Sequence, residues 1–428
     1  MSKLNPDNCI FTLISFEGPD LYCRAGGLGV RVAELSEALA DQGFETHLFF
    51  LGDPKLPADE VQKGGKLHLH RWCQWISSYH PKGVYDGEDR KVYDFEKSLP
   101  PHLVFEVLKP AIKAGKTVCV LTEDWHTVSA TINISDFLYY QGIRDKAVIL
   151  WNANNIYGFE KFDWDRLKLA ATITTVSRYM KFMLWNWGTE ALVIPNGIPG
   201  RMLKDPDPKL VKGLNSLFPD HSLLVKVGRY SPDKGWIMAV EALAELKKQG
   251  KKFRLLMRGG MEPHRGEVMQ RAQELGLNWA EVAAKRPQPG ECLDLIAPHK
   301  NSDIIELNFF VPEEFLCAEY AAGLAVLANS VHEPFGIVGL EVMACGGLPV
   351  LGGTGEDYAR HMENSMVMDA RNHRELAYLI EYLGRDPQLV KALKQGAGVT
   401  AREFTWDKVI AKLLERLELG AVLCGARI

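Results

Sequence analysis

The sequence predicts an α/β protein with two doubly wound parallel sheets, each covered by helices on both faces. The chain has 428 residues, which is more than one hydrophobic core usually accommodates. Short β-branched segments alternate with helical segments in two series, and the second series begins near residue 223. A polar, proline-bearing stretch at residues 200–209 separates the two series, as a linker would.

Composition narrows the partners that the chain can have. Apolar residues make up 46% and charged residues 24% of the chain, and the formal net charge is −4. Because there is no global basic field, we expect no nucleic-acid partner. The eight cysteines form no C-x-x-C pair and no zinc-type spacing, and no segment is long and apolar enough for a signal core or a membrane span. We therefore expect a cytoplasmic protein with reduced thiols.

The N-terminal series holds five predicted strands, at residues 9–16, 44–51, 117–122, 147–151 and 170–177. The first strand leads through Arg24, Gly26 and Gly27 into a helix with apolar residues at helical spacing. A strand followed by a glycine-rich turn and a helix N-terminus lets the backbone approach an anion.

Residues 52–110 are rich in aromatic and basic side chains and show little periodicity. Ring faces can pack against sugars, so one interpretation is a carbohydrate-facing wall. The other is a β-rich insertion whose tryptophans fill a small core of its own, and the sequence leaves both open. The residues concerned are His68, His70, Arg71, Trp72, Trp75, Tyr79, His80, Tyr85 and Tyr93.

Polar side chains follow two later strands of this series. Glu123, Asp124 and His126 come directly after the strand at 117–122, and Asn154 comes after the strand at 147–151. Open α/β sheets place their ligand sites at the carboxyl ends of their strands. We therefore expect these residues to line a site.

A helix with basic residues in its first turn follows the strand at 170–177. Arg178 and Lys181 oppose the helix dipole unless an anion answers them, so they are candidates to bind a phosphate or carboxylate. The rest of the helix, up to Trp187, is apolar nearly all round, which predicts burial. A face on a membrane surface is the alternative, although we do not expect membrane association.

The C-terminal series contains two segments with candidate chemistry. Predicted strands lie at 223–228, 253–257, 303–307, 323–328 and 348–351, and the chain is helical after residue 372. Arg229 and Lys234 follow the first of these strands. Further on, Glu333 and Glu341 stand eight residues apart around Gly336. Pro334 predicts the first turn of a short helix, and Gly346-Gly347 predicts its end.

Four segments carry a resemblance to a known family. Residues 332–355 resemble the E-x7-E signature of retaining glycosyltransferases of the two-domain GT-B fold, the relatives of glycogen synthase and sucrose-phosphate synthase. Residues 228–235 resemble the G-R-x4-K-G segment of that family. Residues 24–28 resemble its K-x-G-G-L motif, with Arg24 in place of lysine, and residues 123–126 resemble its H-D-W-H segment, with Glu123 in place of the first histidine.

The resemblance implies two Rossmann-like domains that face a central cleft. Residues 1–197 would form the acceptor domain, with 52–110 as an insertion, and residues 198–403 the nucleotide-sugar domain. Residues 404–428 would form a helix that returns to the N-terminal domain.

The resemblance also implies roles for individual residues. Arg229 and Lys234 would stabilise the leaving diphosphate, since charge builds there as the glycosidic bond breaks. Glu341 would hold the ribose, and Glu333 would bond the sugar hydroxyls. The remaining donor contacts would come from amides at Gly26, Gly27 and Gly336, and His126 matches the second histidine of its segment.

These expectations define one reaction, the retaining transfer of a hexose from a nucleotide diphosphate sugar, UDP- or ADP-glucose, to a hydroxyl of a small sugar or sugar phosphate. The acceptor-side candidates are Arg24, Glu123, Asp124, Asn154, Arg178 and Lys181. We expect no cofactor and no metal, because the two D-x-D triplets, at 163–165 and 205–207, lack the strand context of a metal site. The alternatives are a glucan or lipid acceptor, a GT-B nucleotide-sugar 2-epimerase, and a weakened sugar-binding protein.

Overall fold

The computed structural model describes residues 4–427, which form two compact units. The first unit runs up to Pro199 and includes the segment from Trp406 onward, and the second is Gly200–Thr405. Within residues 4–427, none of the helices combines the length and apolar character that crossing a bilayer requires.

The first unit is built on an eight-stranded sheet. Its strands are β1 (Cys9–Ile14), β2 (Glu45–Leu51), β3 (Asp59–Gln62), β4 (Leu67–Trp72), β5 (Thr117–Glu123), β6 (Ala147–Ala153), β7 (Thr172–Thr175) and β8 (Leu192–Val193). Its helices are α1 (Gly27–Asp41), α2 (Gln74–Ser77), α3 (Glu88–His102), α4 (Lys109–Lys113), α5 (Val128–Tyr140), α6 (Trp164–Ala170), α7 (Arg178–Trp185) and, from the end of the chain, α16 (Trp406–Cys424). A π-helical segment, Leu103–Leu108, joins α3 to α4.

The strand order of this sheet is β3-β4-β2-β1-β5-β6-β7-β8, and only β3 is antiparallel to its neighbour. β1 and β5 are buried along their whole length or nearly so, as expected for a sheet covered on both faces. The chain moves from β1 to one side through β2 and returns to the other side at β5. The crevice between β1 and β5 is therefore the point where such sheets bind ligands.

The second unit repeats the plan with seven strands, in the order β11-β12-β10-β9-β13-β14-β15. The strands are β9 (Ser222–Val227), β10 (Phe253–Arg258), β11 (Trp279–Ala283), β12 (Ile304–Asn308), β13 (Ala325–Ala328), β14 (Pro349–Leu351) and β15 (Met366–Val367). The helices are α8 (Pro208–Leu217), α9 (Trp236–Lys248), α10 (His264–Glu274), α11 (Glu291–Ile296), α12 (Glu313–Ala322), α13 (Ile337–Ala344), α14 (His373–Arg385) and α15 (Pro387–Ala401). Here the order reverses between β9 and β13.

The segment 52–110 is not an insertion with a core of its own. It supplies β3 and β4, which extend the main sheet through pairing of β4 with β2. Arg71 is buried there and donates to Asp20 and Glu60 at 2.7 Å each. By contrast, Trp75, Tyr79 and Tyr93 are exposed beside a surface cavity, so the idea of a carbohydrate-facing wall stays open for these three.

Three further expectations were wrong. The helix α7 is short, and Phe182 and Trp185 on it are exposed rather than buried. The helix of the two glutamates begins at Ile337, so Pro334 lies in the preceding loop. Cys317 on α12 and Cys345, which directly follows α13, have Cα atoms 5.0 Å apart and form a disulfide, whereas we expected reduced thiols.

The last helix, α16, packs on the sheet of the first unit. Gly420 lies against the sheet, because a Cβ there would be in ordinary van der Waals contact, at 3.4 Å, with Leu150 on β6 and Thr172 on β7. At the helix start, Trp406 donates from Nε1 to Glu34 on α1 at 3.0 Å. The ring of Trp406 covers Gly197, where any side chain would collide with it.

Candidate active site

In the second unit, the candidate residues lie on the loops that follow β9 and β13, at the reversal point of the sheet. The loop after β9 carries Arg229 and Lys234 and includes a single 3₁₀ turn, Pro232–Lys234. The loop after β13 carries Glu333 and leads into α13. Because the two strands are neighbours in a parallel sheet, their carboxyl ends bring the two loops together.

A buried lysine, Lys226, fastens these two loops to each other. Its Nζ donates to the carbonyl oxygens of Lys234 and Leu327 at 2.8 and 2.9 Å and to Asn329 Oδ1 at 2.6 Å. Burial, and then the nearby Lys234, lowers the pKa of Lys226 to about 7. Asn329 in turn donates to the carbonyl of Gly235 at 3.1 Å. The loop geometry is thus fixed by polar groups that do not face a ligand.

The two loops meet at an ion pair between Lys234 and Glu333. Lys234 Nζ lies 2.5 Å from Glu333 Oε2, and both side chains are about one-fifth exposed. Arg229 lies on the same loop as Lys234, five residues before it, and is exposed. No hydrogen bond or ion pair within residues 4–427 engages its guanidinium. Two cationic side chains and one carboxylate therefore lie on the loops at the reversal point of the sheet. An anionic ligand that binds there could replace Glu333 as the partner of Lys234.

Gly336 caps the start of α13 and brings the backbone close to the carboxylates. Its φ is +74°, and a Cβ at this position would meet Glu356 Cγ at 2.6 Å. Tyr358 donates its hydroxyl hydrogen to the Gly336 carbonyl. Glu341 lies in the middle of α13 and is half-buried, whereas Glu333 lies on the preceding loop. The donor contacts expected of Glu333 and Glu341 stay predictions.

Glu356 is a third carboxyl group of this site, and sequence reasoning did not single it out. It is 5% exposed, its Oε2 accepts from the Thr354 amide at 2.8 Å, and its Oε1 has no partner within residues 4–427. Burial, with a smaller contribution from Glu333, raises its pKa to about 7. Its position shortly after the strand β14 is the signal that could have identified it.

In the first unit, Glu17 occupies the glycine-rich turn. Its Oε2 accepts from the amides of Ala25, Gly26 and Gly29 at 3.2, 2.9 and 3.1 Å, and Tyr85 donates to its Oε1 at 2.6 Å. The anion that this turn binds is therefore a carboxylate of the chain itself. Glu17 follows the first predicted strand, so the rule that pointed to Glu123 could have found it.

Gly27, also predicted to approach donor oxygens, is the first residue of α1 and is exposed, with open space around its missing Cβ. Gly26 can serve an external anion only if its amide leaves Glu17. The backbone of Gly27 is therefore open to an external anion, whereas the amide of Gly26 is engaged by Glu17.

Glu123 is buried in a hydrogen-bonded ion pair. Arg31 Nε lies 3.2 Å from Glu123 Oε1, and Asn152 and Asn154 donate to Oε2 at 2.9 and 2.7 Å. The same Arg31 donates to Asn196. Because the carboxylate is 1% exposed and its oxygens are engaged, the geometry gives Glu123 a role in holding the strand ends together, and Asn154 shares that role.

Asp124, the next residue, has a strained backbone and a perturbed carboxyl group. Its φ is +64°, which is rare for any residue but glycine. Its two oxygens accept from the Asn154 amide at 3.0 Å and the Asn155 side chain at 2.8 Å. Burial, then the charges of Glu123 and Glu17, raises its pKa to about 7.

His126 is stacked between aromatic rings and paired with a carboxylate. Its ring centroid lies 4.0 Å from that of Phe16 and 3.7 Å from that of Trp125. Its Nε2 lies 2.8 Å from Glu88 Oε1, and its buried Nδ1 has no partner within residues 4–427. Burial lowers its pKa, so the ring is neutral at pH 7.

The remaining acceptor candidates lie on two different loops or helices. Arg24 is exposed on the loop before α1, near the turn that Glu17 occupies. Arg178 begins α7, and Lys181 on the same helix lies 3.7 Å from Glu190. Arg178 and Lys181 follow β7, which is two strands away from β5 in the sheet.

Comparison with known proteins decides the family. The model of the glycosyl transferases group 1 matches residues 215–398, and the model of glycosyltransferase family 4 matches residues 25–199. Together the two models span most of the chain and follow its two units. The chain belongs to the GT-B glycosyltransferases.

The relatives of this glycosyltransferase agree in fold and family. A D-inositol 3-phosphate glycosyltransferase from Thermobispora bispora is 24% identical over 416 residues, which cover 91% of this chain and 89% of that protein. A sucrose-phosphate synthase structure from Thermosynechococcus elongatus superposes with a TM-score of 0.69 at 19% identity, covering 96% of this chain and 99% of that one.

A second similar structure is a UDP-forming α,α-trehalose-phosphate synthase from Burkholderia xenovorans in complex with glucose-6-phosphate. Its TM-score is 0.66 at 13% identity, and the match covers 96% of this chain and all of that one. The fold of this enzyme is thus the two-unit α/β fold that its sequence predicted, and its activity is sugar transfer.

Proposed function

We propose that this glycosyltransferase moves a hexose from a nucleotide diphosphate sugar to a hydroxyl of a small sugar phosphate, with retention at the anomeric carbon. UDP- or ADP-glucose is the expected donor. The observation that carries the proposal is the cluster of Arg229, Lys234 and Glu333 at the reversal point of the second sheet. Two cationic side chains and a carboxylate on rigidly joined loops suit a diphosphate and the hydroxyls of the sugar attached to it.

The chemical step follows from the charges. The bond between the anomeric carbon and the diphosphate oxygen breaks, and the acceptor oxygen forms the new bond to that carbon. The acceptor hydroxyl proton leaves with the diphosphate. Negative charge grows on the leaving group, and Arg229 and Lys234 stabilise it, which is the task that a metal ion performs at other transferase sites. Glu341 would hold the ribose, and the Gly336 turn would let the donor approach the backbone.

A phosphorylated acceptor is favoured by two independent considerations. Arg24, Arg178 and Lys181 offer cations in the first unit, which carries the acceptor candidates. The similar proteins named above are described by phosphate-bearing sugars or inositols. His126 beside Glu88 is the candidate group nearest in character to an acid–base residue, being buried, neutral and hydrogen-bonded.

The experiment is a two-step screen of the purified chain. UDP-, ADP- and GDP-sugars are first compared by thermal shift, since a ligand that binds only the folded state raises its stability. The stabilising donor is then offered with matched acceptor pairs: glucose 6-phosphate and glucose, fructose 6-phosphate and fructose, inositol 3-phosphate and inositol. We expect transfer to one phosphorylated member, with an α-linked product by NMR. Equal transfer to both members of every pair would reject the phosphate acceptor.

A further inference from the structure

One face of the first sheet carries a cluster of imidazoles and carboxylates that the transfer reaction does not use. In the parallel pairing of β2 with β4, His47 lies opposite His68, and Phe49 lies opposite His70. Glu45 precedes His47 by two residues, so its side chain lies on the same face. Asp59 on β3 pairs with His70 and adds a second carboxylate.

The hydrogen bonds of this cluster determine which ring nitrogens carry protons. Asp59 Oδ1 lies 2.7 Å from His70 Nδ1, and an ionised carboxylate can only accept, so Nδ1 carries the proton. In neutral His70 the lone pair is then on Nε2. His47 Nδ1 lies 3.0 Å from that atom and must be the donor, which leaves the lone pair of His47 on Nε2.

The Nε2 lone pair of His47 faces another acceptor. Glu45 Oε1 lies 3.5 Å from it, and no proton remains for this contact in the neutral ring. Two ligand atoms at tetrahedral angles on a divalent cation, with bonds of about 2.0–2.2 Å, stand roughly 3.3–3.5 Å apart. The two facing acceptors are therefore spaced as two ligands of one ion.

A third ligand is available from His68. Its Nε2 lies 3.1 Å from the carbonyl oxygen of Gly65, which fixes the proton there and leaves the lone pair on Nδ1. Ligand atoms of Glu45, His47 and His68 all lie within 4.8 Å of one another. The rings of His47 and His68 are stacked with centroids 4.5 Å apart. The His68 ring must therefore rotate about its Cβ–Cγ bond to direct a lone pair at an ion bound by Glu45 and His47.

From this arrangement we infer a binding site for one divalent cation of the zinc class, with Glu45, His47 and His68 as ligands and water in the fourth position. In Glu45 and His47 the other polar atom is held by the protein, at Lys116 and His70, as is usual for metal ligands. Glu45 is about one-third exposed, which leaves an entrance for the ion.

The site stands at the amino ends of β2 and β4, whereas the candidate active-site residues of this unit stand at carboxyl ends. The bound ion would therefore join two strands near the sheet edge and stabilise the fold without taking part in transfer. The two D-x-D triplets, at 163–165 and 205–207, supply none of these ligands. The ligands come from β2 and β4, where the paired His47 and His68 are 21 residues apart in sequence and so form no compact motif.

The test is a titration of the tag-free, chelator-treated and desalted chain with zinc chloride, followed by calorimetry and by thermal unfolding. We expect one equivalent to bind with a dissociation constant in the micromolar range or below and to raise the unfolding temperature. With cobalt chloride we expect the visible absorption of a tetrahedral complex. Glu45→Gln and His68→Gln should each lose the bound equivalent, and His299→Gln, in the second unit, should keep it.

Asp59→Asn tests the hydrogen-bond chain separately. Because Asp59 acts through His70 and His47, we expect the stoichiometry to stay at one and the affinity to fall about 10- to 100-fold. Circular dichroism shows whether each variant is folded, and the half-exposed His68 provides a folded ligand variant if the buried His47 cannot be replaced. Absence of saturable zinc binding by the wild-type chain, or binding that Glu45→Gln and His68→Gln leave unchanged, would overturn the site.

Discussion

Arg229 and Lys234 differ in how the structure holds them, although both are expected to bind the leaving diphosphate. Lys234 is paired with Glu333 at 2.5 Å, and its main-chain carbonyl is fastened by Lys226. The guanidinium of Arg229 is exposed. An incoming diphosphate would therefore compete with Glu333 for Lys234. No carboxylate within residues 4–427 pairs with Arg229, so the diphosphate would meet no such competition there. Loss of Arg229 should therefore act on ligand binding and hardly on the fold.

Replacing Arg229 by alanine should weaken binding of the donor nucleotide diphosphate by roughly 10- to 150-fold, the equivalent of one charge-assisted hydrogen bond of about 1.5–3 kcal/mol. Isothermal titration calorimetry with the nucleotide diphosphate measures the change. Arg385→Ala, which removes an arginine that pairs with Glu381 on α14, is the matched control and should bind normally. Unchanged affinity in Arg229→Ala would remove this residue from the donor site.

Glu356 makes stability depend on pH in the sense opposite to that of a salt-bridged carboxylate. Its pKa is about 7 in the folded protein, above the ordinary value of an unfolded glutamate, so the folded state binds more protons between those values. Stability from this group is complete below about pH 4 and is lost as the pH rises through about 7.

Glu356→Gln mimics the protonated form and should therefore stabilise the protein relative to wild type more at pH 8 than at pH 5, by a difference on the order of 3 kcal/mol. Urea unfolding at the two pH values measures it. Glu363→Gln, at an exposed site, is the control and should show no such difference. A difference of the opposite sign would contradict the raised pKa.

At the scale of elements, the central strands were predicted well because they are short, buried and flanked by turn residues. The predicted strand at 9–16 appears as Cys9–Ile14, and that at 253–257 appears as Phe253–Arg258. β3 and β4 escaped prediction because edge strands alternate polar and apolar residues: β3 reads DEVQ, with no residue buried. Their membership in the sheet depends on pairing with β2, which no local pattern reports.

The start of α13 was misplaced for a similar reason. Pro334 suits a first helical turn, but Gly355 packs against it, and a Cβ on Gly355 would lie 2.1 Å from the Pro334 carbonyl oxygen. Gly336 then takes a left-handed conformation and delays the helix to Ile337. The candidate residues that the sequence singled out belong to local motifs. Lys226 was missed because its hydrogen bonds to Leu327 and Asn329 join distant segments, whereas the positions of Glu17 and Glu356 shortly after strands were signals that the sequence does carry.

Gly336→Ala should test the turn before α13. Alanine there meets both an unfavourable φ of +74° and the Glu356 side chain at 2.6 Å, whereas Gly346→Ala meets a φ of +75° in open space. We expect a cost of about 1–2 kcal/mol from φ alone at Gly346 and about 1–3 kcal/mol more at Gly336. Chemical denaturation gives both values, and equal costs would show that the contact with Glu356 is absent.

At the scale of the whole molecule, the two units have the same architecture and different chemistry. Each sheet reverses its strand order once, and each reversal point carries charged residues at its carboxyl edge. In the first unit these are buried and paired with one another, as Glu123 is with Arg31. In the second they include the exposed Arg229. We therefore expect the second unit to bind the charge of the nucleotide diphosphate.

This distribution predicts that transfer needs no metal ion. Fixed cations at Arg229 and Lys234 supply the charge that the leaving diphosphate requires, so chelator-treated enzyme should retain its turnover at 25 °C. The same treatment should lower the unfolding temperature if the β2–β4 site holds its ion. An assay of turnover with and without added magnesium measures the first effect, and a strict requirement for magnesium would contradict the assignment of that role to the two side chains.

The proposed donor site of Arg229, Lys234 and Glu333 can be assayed by the release of free nucleoside diphosphate from the stabilising nucleotide sugar. Release is measured with and without acceptor, in wild type and in Lys234→Ala. We predict that release in the wild-type enzyme depends on acceptor and falls roughly 100-fold or more in the variant, because Lys234 stabilises charge on the leaving group. Release that needs no acceptor, or that Lys234→Ala leaves unchanged, would show that these residues do not form the donor site of a transferase.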